Sequence, residues 1–545
     1  MDKDYDRIFS SMVNGYQIYD TQSYGNKIYV TGRQVDGKKF NYCIKDFKPH
    51  FYVPSTEQQS HLPFYPLKKC TKVSLDQPKE MQDARAKYKY TYEADLSYDI
   101  RFHTDIMIKY PTNRDIKPRI WMFDIEAFRN FELGMSNPMN QDHVLNTLSF
   151  HDNYLNEVFT IFVIDKKFHT LDTGVKKVGN QNIIYVNSER DLFTVLIKLM
   201  KKFNPEILSG WNCVSYDFPF LCKKAETFHK DLFKFLSPFN MEPHFRFNMG
   251  EKIDEWFIKG YVILDYMLLY KKYQQNKRES YSLDFVCNSE LGYGKVDYDG
   301  SLDELYRDDP HKFIEYSKQD VTLLDDIEKK LMYITLVNEM KEISASPLHY
   351  FNYRNTTKLI DSLLCRHIRN KPDPLVMKTK TVYESGADIE KFSGAFVKAP
   401  KIGFHNWIID LDATGMYPGI MRTLNISPET YVCKILATQE EICNEIRPYM
   451  FNTVTDISLQ SVKIITNVGI QKTISIDQFK DIVYNKTGGK FSIATNGSIF
   501  NLSITGIIPE VQEILSQGRN EIKSYKKLWE ITNQYCKNTY GEKTL

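Results

Sequence analysis

The sequence predicts a multidomain α/β protein, and three observations carry that expectation. Its 545 residues are enough for roughly three or four domains of ordinary size, each with its own core. Its hydrophobic fraction of 42% is that of a globular chain, neither disordered nor membrane-like. Between residues 106 and 335 apolar strand-like runs alternate with helical patterns, as in a sheet covered by helices.

Residues 1–105 read as short alternating segments, such as IYV at 28–30 and FYV at 51–53, broken by Gly, Pro and Asp. They predict a small mixed α/β N-terminal domain, to which a segment at about 336–375 returns. Within 106–335 the first strands to draw are 120–123, 160–164, 183–186 and 207–208. Residues 191–203 form an amphipathic helix, with Leu192, Val195, Leu196 and Leu199 on one face. A helical stretch follows at 320–338, and then a loop containing Ser344, Ser346 and Pro347. The run WIIDLD at 407–412 predicts a buried strand ending in acid, followed by a turn and the start of an apolar helix. Residues 450–505, rich in Thr, Ser, Gly and Ile, predict more strands. The last helix begins at Pro509, a favoured first helical position, and carries Val511, Ile514, Leu515, Ile522, Tyr525 and Trp529 at helical spacing. The expected divisions are therefore 1–105, 106–335, 376–506 and 507–545.

A net charge of +2, from 71 basic and 69 acidic residues, rules out a uniformly cationic coat. Any attraction for nucleic acid must come from local patches. KKYQQNKR at 271–278 and KSYKK at 523–527 are candidates, although each also reads as a solvated face. The 36 Tyr and 34 Phe suit base stacking, although the core is their usual place. Nine scattered cysteines without a CxxC pair fit a reducing compartment, with neither a zinc site nor a disulfide framework. No apolar run serves as a signal peptide or approaches the ~20 residues of a membrane span. The expectation is a cytoplasmic protein with no membrane partner.

Four acids and a tyrosine carry the chemistry. Asp124 and Glu126 are two apart in a strand, so they share a face and can grip one cation. GWNCVSYD at 210–217 follows another buried run and ends on Asp217. Tyr316 and Asp320 lie four apart on a helix, which brings phenol and carboxylate onto one side. Hard divalent cations want oxygen ligands. A two-metal phosphodiester hydrolase needs several carboxylates converging from separate elements, its ions about 3.5–4 Å apart.

That order (DxE, then NxxxYD, then YxxxD) resembles the three exonuclease motifs of proofreading family B DNA polymerases. Each motif is weak alone; spread together over residues 124–320 they are specific. The resemblance implies an RNase H-like 3′→5′ exonuclease domain. In it Asp124, Glu126, Asp217 and Asp320 would bind two Mg2+ ions, with Mn2+ as the substitute. Tyr316 would orient the attacking water, and Asn212 would help hold the 3′-terminal nucleotide. VILDY at 262–266, LYKK at 269–272 and SYSLD at 280–284 also resemble polymerases of T-even-type bacteriophages. Asp265 reads as a structural or DNA-positioning residue rather than a fifth ligand.

DATGMYP at 412–418 is similar to the first polymerase motif of the same family, and NISPET at 425–430 resembles the T-even-type phage polymerases. SGAFVK at 393–398 resembles the segment joining exonuclease and palm that touches the template, which implies DNA contact at Gly394 and Ala395. Asp412 is then one of two carboxylates for the polymerase metals. The backbone N–H groups of Gly415 and Met416 would cradle the incoming triphosphate. Tyr417 would exclude a ribose 2′-OH. Gly415 stands where the family usually has Ser. Arg519 and Lys523, four apart on the last helix, fall on the family's first fingers helix, where they would embrace the β- and γ-phosphates. A solvated basic flank is the other reading.

NTYG at 538–541 is one residue short of the family's NSxYG and too close to Arg519 to close a fingers hairpin, and no DxD strand follows. The resemblance thus implies the N-terminal part of a replicative DNA-directed DNA polymerase with a proofreading exonuclease, acting on primer–template DNA and deoxynucleoside triphosphates. Polymerisation is expected to need a second chain bringing the rest of fingers, palm and thumb, and through it a sliding clamp. A stand-alone 3′→5′ exonuclease with a residual palm, and a nucleic-acid-binding regulatory protein, stay open as alternatives.

Overall fold

The computed structural model describes residues 4–12, 15–55, 64–127, 143–248, 253–352, 356–379, 397–413, 415–467 and 469–540, with nothing said of the side chains at 247–248, 253–254 and 535–540. The chain divides into two compact units, Met1–Pro49 with Ser74–Met81 and Leu96–Arg366, and His50–Val73 with Gln82–Asp95 and His367–Leu545.

In the first unit, β1 (Tyr16–Tyr24), β2 (Lys27–Gln34) and β3 (Lys39–Ile44) form an antiparallel sheet. Phe9, Tyr16, Ile28 and Phe102 fill the core beside it. A seven-stranded sheet follows, built from β4 (Ile120–Ala127), β5 (Leu145–Asp152), β6 (Glu157–Val163), β7 (Gly174–Val178), β8 (Gln181–Val186), β9 (Ile207–Gly210) and β12 (Val262–Asp265). Between the last two, β10 (His244–Asn248) and β11 (Ile253–Phe257) make a separate hairpin. The strand order is β7-β8-β6-β5-β4-β9-β12, with β4 antiparallel to β5 and parallel to β9.

Alternation along β4 decides what each face of the sheet does. Trp121, Phe123 and Ile125 pack with Leu192, Leu196, Phe218 and Leu221, residues of α1 (Glu189–Phe203) and α2 (Asp217–Phe228). Met122 points the other way and joins Leu323, Leu324 and Ile327 of α6, after α3 (Tyr266–Tyr273), α4 (Leu283–Leu291) and α5 (Leu302–Asp308). With a side-chain period of two, Asp124 and Glu126 turn toward α6 as Met122 does. Gly210, in β9, faces the Phe123 carbonyl so closely that an added Cβ would lie 2.6 Å from it. Only glycine lets the two strands approach at this point.

All four strands expected from apolar runs form, each longer than its run; β4 carries both acids within the strand rather than at its end. α1 starts at Glu189 because the Ser188 hydroxyl accepts from the Asp191 N–H, and it stops where Asn204 turns left-handed. Helix α6 (Pro310–Leu331) is longer than expected. The Asp309 side chain caps its first turn and Pro310 opens it, so Asp320 sits mid-helix. Met332, at φ 57°, breaks the path into α7 (Tyr333–Ser344).

The second unit holds β13 (Tyr431–Ile435), β14 (Ser461–Thr466), β15 (Gln471–Ser475), β16 (Phe491–Ile493) and β17 (Ser498–Asn501), ordered β15-β14-β13-β17-β16. Strands therefore do occur in 450–505, with α9 (Ile476–Thr487) between them after α8 (Met416–Thr423). Ile435, Ile446, Phe479, Val483 and Ile499 are its core. The final helix, α10, runs Ile507–Tyr540. Ile507 and Val511 are buried, but Ile514, Leu515, Ile522 and Trp529 are 46–69% exposed.

The buried strand expected at 407–412 does not form. Residues 397–413 have no regular structure, and Trp407, Ile409 and Leu411 are more than 80% exposed. A strand needs a neighbour for its backbone groups. The five-stranded sheet is built wholly from residues 431–501, and none of its strands pairs with this run.

Candidate active site

The carboxylates of Asp124, Glu126 and Asp320 converge, with one oxygen of each within 4.8 Å of the others. β4 supplies the first two and α6 the third. They line a cavity of about 590 Å3 that Asp217, Asn212 and Tyr316 also line, so the structure brings the six expected exonuclease residues to one place. Asp217 stands slightly apart from the trio. It begins α2, and its Oδ1 accepts the Ile125 N–H at 3.2 Å, which fixes its carboxylate against β4.

Crowding of acids sets the electrostatics. Enclosure, then Asp320 and Glu126, push the Asp124 carboxyl well above the usual carboxylate range. Burial lifts Asp217 to about 7, against the pull of the Ile125 N–H. Asp320 is raised by burial, although Lys295 opposes it. Tyr316 is raised by burial and by the Asp320 charge.

Lys295 is the residue that sequence reasoning missed. Its Nζ donates to Asp320 Oδ2 at 2.8 Å and to the Tyr316 hydroxyl at 2.9 Å. Burial would depress its pKa, but Asp320, Tyr316 and Asp124 together raise it, so it is a firm cation. A single Lys between α4 and α5 carries no spacing signal; only the fold places it.

A divalent cation fits this donor set. Asp320 Oδ1 is buried and has no hydrogen-bond partner among the described residues. Three converging carboxylate oxygens are the hard ligands Mg2+ prefers, and a cation would relieve the repulsion that raises Asp124. Asp265, by contrast, does not line the cavity. It is fully buried and accepts the N–H groups of Asn212, Val214 and Leu268 at 3.1–3.2 Å. Its work is to hold the 212–214 loop, where Asn212 takes a left-handed φ of 63°, and to cap α3.

Residues 69–286 match the model of the exonuclease domain of DNA polymerase family B. The chain carries a family B polymerase exonuclease domain. It is 22% identical over 460 residues to the DNA-directed DNA polymerase of Escherichia phage RB69, covering 80% of this chain and 44% of that protein. It is 29% identical over 253 residues to that of Enterobacteria phage T4, covering 46% of this chain and 27% of the other. A DNA polymerase of Pyrococcus horikoshii is 26% identical over 262 residues, 47% of this chain and 20% of its own length. The chain thus spans less than half the length of these relatives. The resemblance to T-even-type family B polymerases drawn from the motifs is what the comparisons find. The family B match stops at residue 286, before Tyr316 and Asp320, which the fold itself brings to the cavity.

The residues assigned to polymerisation are differently placed. Asp412, Met416, Tyr417, Arg519 and Lys523 are all exposed. Gly415 precedes α8 in a left-handed conformation, φ 64°, which suits glycine rather than the family's Ser. Gly394 and Ala395 lie outside the described residues. The NISPET segment has a visible local duty. The Asn425 amide donates to the Asn501 and Ile504 carbonyls at 2.6 and 2.7 Å, and its oxygen accepts the Gly506 N–H at 2.8 Å. Glu429 and Ser427 accept the Ile507 and Ile508 N–H groups, capping α10. Of the two basic patches, 271–278 is partly consumed internally. Arg278 pairs with Glu290 and donates to the Tyr270 hydroxyl. No described helix is long and apolar enough to cross a membrane.

Proposed function

We propose that this chain is the N-terminal part of a replicative DNA-directed DNA polymerase whose RNase H-like domain removes nucleotides from a DNA 3′ end. The observation that carries this reading is the convergence of Asp124, Glu126 and Asp320 within 4.8 Å in a cavity also lined by Asp217 and Tyr316. Asp124, Glu126, Asp217 and Asp320 would hold two Mg2+ ions. When bound, the ions supply water ionisation near neutral pH and charge neutralisation at the departing 3′-oxygen. The chain's own groups do the rest. The Tyr316 hydroxyl, fixed by Lys295, orients the attacking water. Asn212, on the loop that Asp265 holds, positions the terminal nucleotide. Asp265 and the Ile125 N–H keep the loop and Asp217 rigid, so that the geometry exists before substrate arrives.

Synthesis belongs to a larger assembly in this reading. The N-terminal domain of 1–105 with 336–375, the exonuclease domain of 106–335, a partial palm at 376–506 and a first fingers helix at 507–545 would work together with the rest of such a polymerase. That remainder would bring the other palm carboxylate, the other fingers helix, the thumb and the contact to a sliding clamp. The exposed apolar runs at Trp407–Leu411 and along α10 support it, because monomeric proteins rarely leave such surfaces open. Asp412, Gly415, Met416, Tyr417, Arg519 and Lys523 would then act only in the complex, with Gly394 and Ala395 at the template.

A 5′-labelled primer–template with Mg2+, incubated with and without the four deoxynucleotides, tests both parts. Shortening in both lanes without extension is expected, and Asp412→Ala should leave that shortening unchanged. Intact primer in both lanes would overturn the nuclease reading, and extension by residues 1–545 alone would overturn the reading that synthesis needs the larger assembly.

A further inference from the structure

Two adjacent parallel strands, β6 and β8, send the chain to opposite faces of the seven-stranded sheet. Ile164 and Leu171, which follow β6, pack with Leu305, Tyr306 and Phe313 on the side of α6. Ser188, just past β8, caps α1, whose Leu192 packs with Trp121 and Phe123 on the other side. Where neighbouring connections part in this way a crevice opens beyond the carboxyl ends of the strands, and open α/β sheets hold their ligands in such crevices.

A cavity of about 700 Å3 occupies this place, and it shares no lining residue with the carboxylate site. Its size is within the range of about 300–1,000 Å3 typical of small-ligand sites. Val163, Ile164, Phe168 and Tyr306 give it apolar and aromatic walls, and Asn146 lines it too. Asn146 is 2% exposed, and its Oδ1 has no hydrogen-bond partner among the described residues. An enclosed amide left unpaired is costly, and buried polar groups are normally satisfied. The terminal torsion of Asn is broad and roughly two-fold, so either end of the amide can turn to the cavity.

The rim carries charge. Lys166 and Lys167, both exposed, line the cavity together with Asp165 and Glu189. Glu189 is already engaged: it lies 3.2 Å from Lys224 Nζ and accepts the Leu145 N–H at 2.7 Å. These three lysines against two acids leave one positive charge in excess. Phe168 is 45% exposed and offers a ring to stack on, with the Arg307 guanidinium 5.9 Å from its centroid.

An aromatic wall, an unpaired amide and rim lysines suit a planar ring that has a hydrogen-bonding edge and carries an anionic group. We propose that this cavity binds one free nucleotide, its base on Phe168 with its edge at the Asn146 amide and its phosphate at Lys166 and Lys167. An Asn amide both donates and accepts, which matches the edge of adenine. Binding needs neither divalent metal nor cleavage, so it stands apart from the reading of the carboxylate site.

The test uses the full chain carrying Asp124→Ala and Glu126→Ala, in EDTA, titrated calorimetrically with deoxyadenosine monophosphate. One saturable site is expected. Phe168→Ala, a change at an exposed ring, should weaken binding about tenfold with an unchanged melting temperature. Asn146→Leu should weaken it at least as much and, because it removes an unpaired buried amide, should not lower the melting temperature. Irradiation with the 8-azido analogue should label the 163–168 segment or Tyr306, identified by peptide mass spectrometry. Absence of saturable binding, variants that bind like their parent, or labels at Trp211 or Tyr298 in the carboxylate cavity would each overturn the proposal. So would equal competition by inorganic phosphate, which would reduce the site to an anion contact. Stronger competition by an oligodeoxyadenylate would overturn it too, by making the cavity part of a strand path.

Discussion

Lys295 Nζ lies 2.8 Å from Asp320 Oδ2, so a cation of the chain's own stands beside the carboxylates proposed to hold metal. The same ammonium is 2.9 Å from the Tyr316 hydroxyl, and it therefore orients the phenol as well as neutralising the acid. Charge-assisted hydrogen bonds are worth about 1.5–3 kcal/mol. Lys295→Met should slow cleavage roughly 10- to 100-fold under saturating Mg2+, read as single-turnover shortening of a labelled oligonucleotide. An unchanged rate would mean that the lysine is displaced before chemistry and serves only the metal-free protein.

The convergence of Asp124, Glu126 and Asp320 makes metal binding visible without any assay of activity. Ions that bind only the folded state stabilise it, by about 2.7 kcal/mol when present at 100 times Kd. Mg2+ should raise the melting temperature of the parent chain and not that of Asp124→Ala/Glu126→Ala. The double variant should lose cleavage to background while single-strand binding persists. Equal Mg2+ shifts in both proteins would place the ion elsewhere.

How much of this was legible in the sequence follows from which interactions are local. The DxE pair and the Tyr316–Asp320 spacing are set by the periods of strand and helix, so they could be read directly. The strands at 120–127 and 207–210 were found because burial on both faces leaves an unbroken apolar run. Lys295 was not, because its partners come from a helix that begins fifteen positions later and only tertiary packing joins them. The run at 407–412 misled for the opposite reason. Its composition is that of a buried strand, but burial depends on a neighbour that composition cannot report.

Glu206 ties the two sheets of the first unit together and should be costly to lose. Its Oε1 is 2.7 Å from Arg33 Nη2 on β2, both side chains at most 5% exposed, and its Oε2 accepts the Arg119 N–H at 2.7 Å. Truncating one member of such a buried pair leaves the other charge uncompensated, at a cost of about 3–5 kcal/mol. Glu206→Ala should lower urea stability by that order. Asp231→Ala, which breaks the solvent-exposed pair with Arg190, should change it little. Comparable losses would mean that burial does not set the difference.

His349 should make stability depend on pH in a definite direction. Burial tends to depress its pKa, but Asp20, 2.8 Å from its Nδ1, and Asp99, 3.7 Å from its Nε2, raise it on balance, against Lys259. Asp20, which burial would raise, is held below its ordinary value by His349 and by the Gln22 amide. A raised histidine contributes fully below its unfolded value of about 6.5 and loses that contribution as pH rises through the folded value. A depressed aspartate contributes fully above about 3.9 and loses it as pH falls through its folded value. The pair is therefore worth most between about pH 4 and 6.5, where His349→Gln should cost on the order of 1–3 kcal/mol in urea denaturation. As pH rises through the folded value the gap between parent and variant should shrink, because the parent loses its imidazolium. A gap that stays the same from pH 6 up to the alkaline limit of folding would show that packing alone accounts for the contribution of His349.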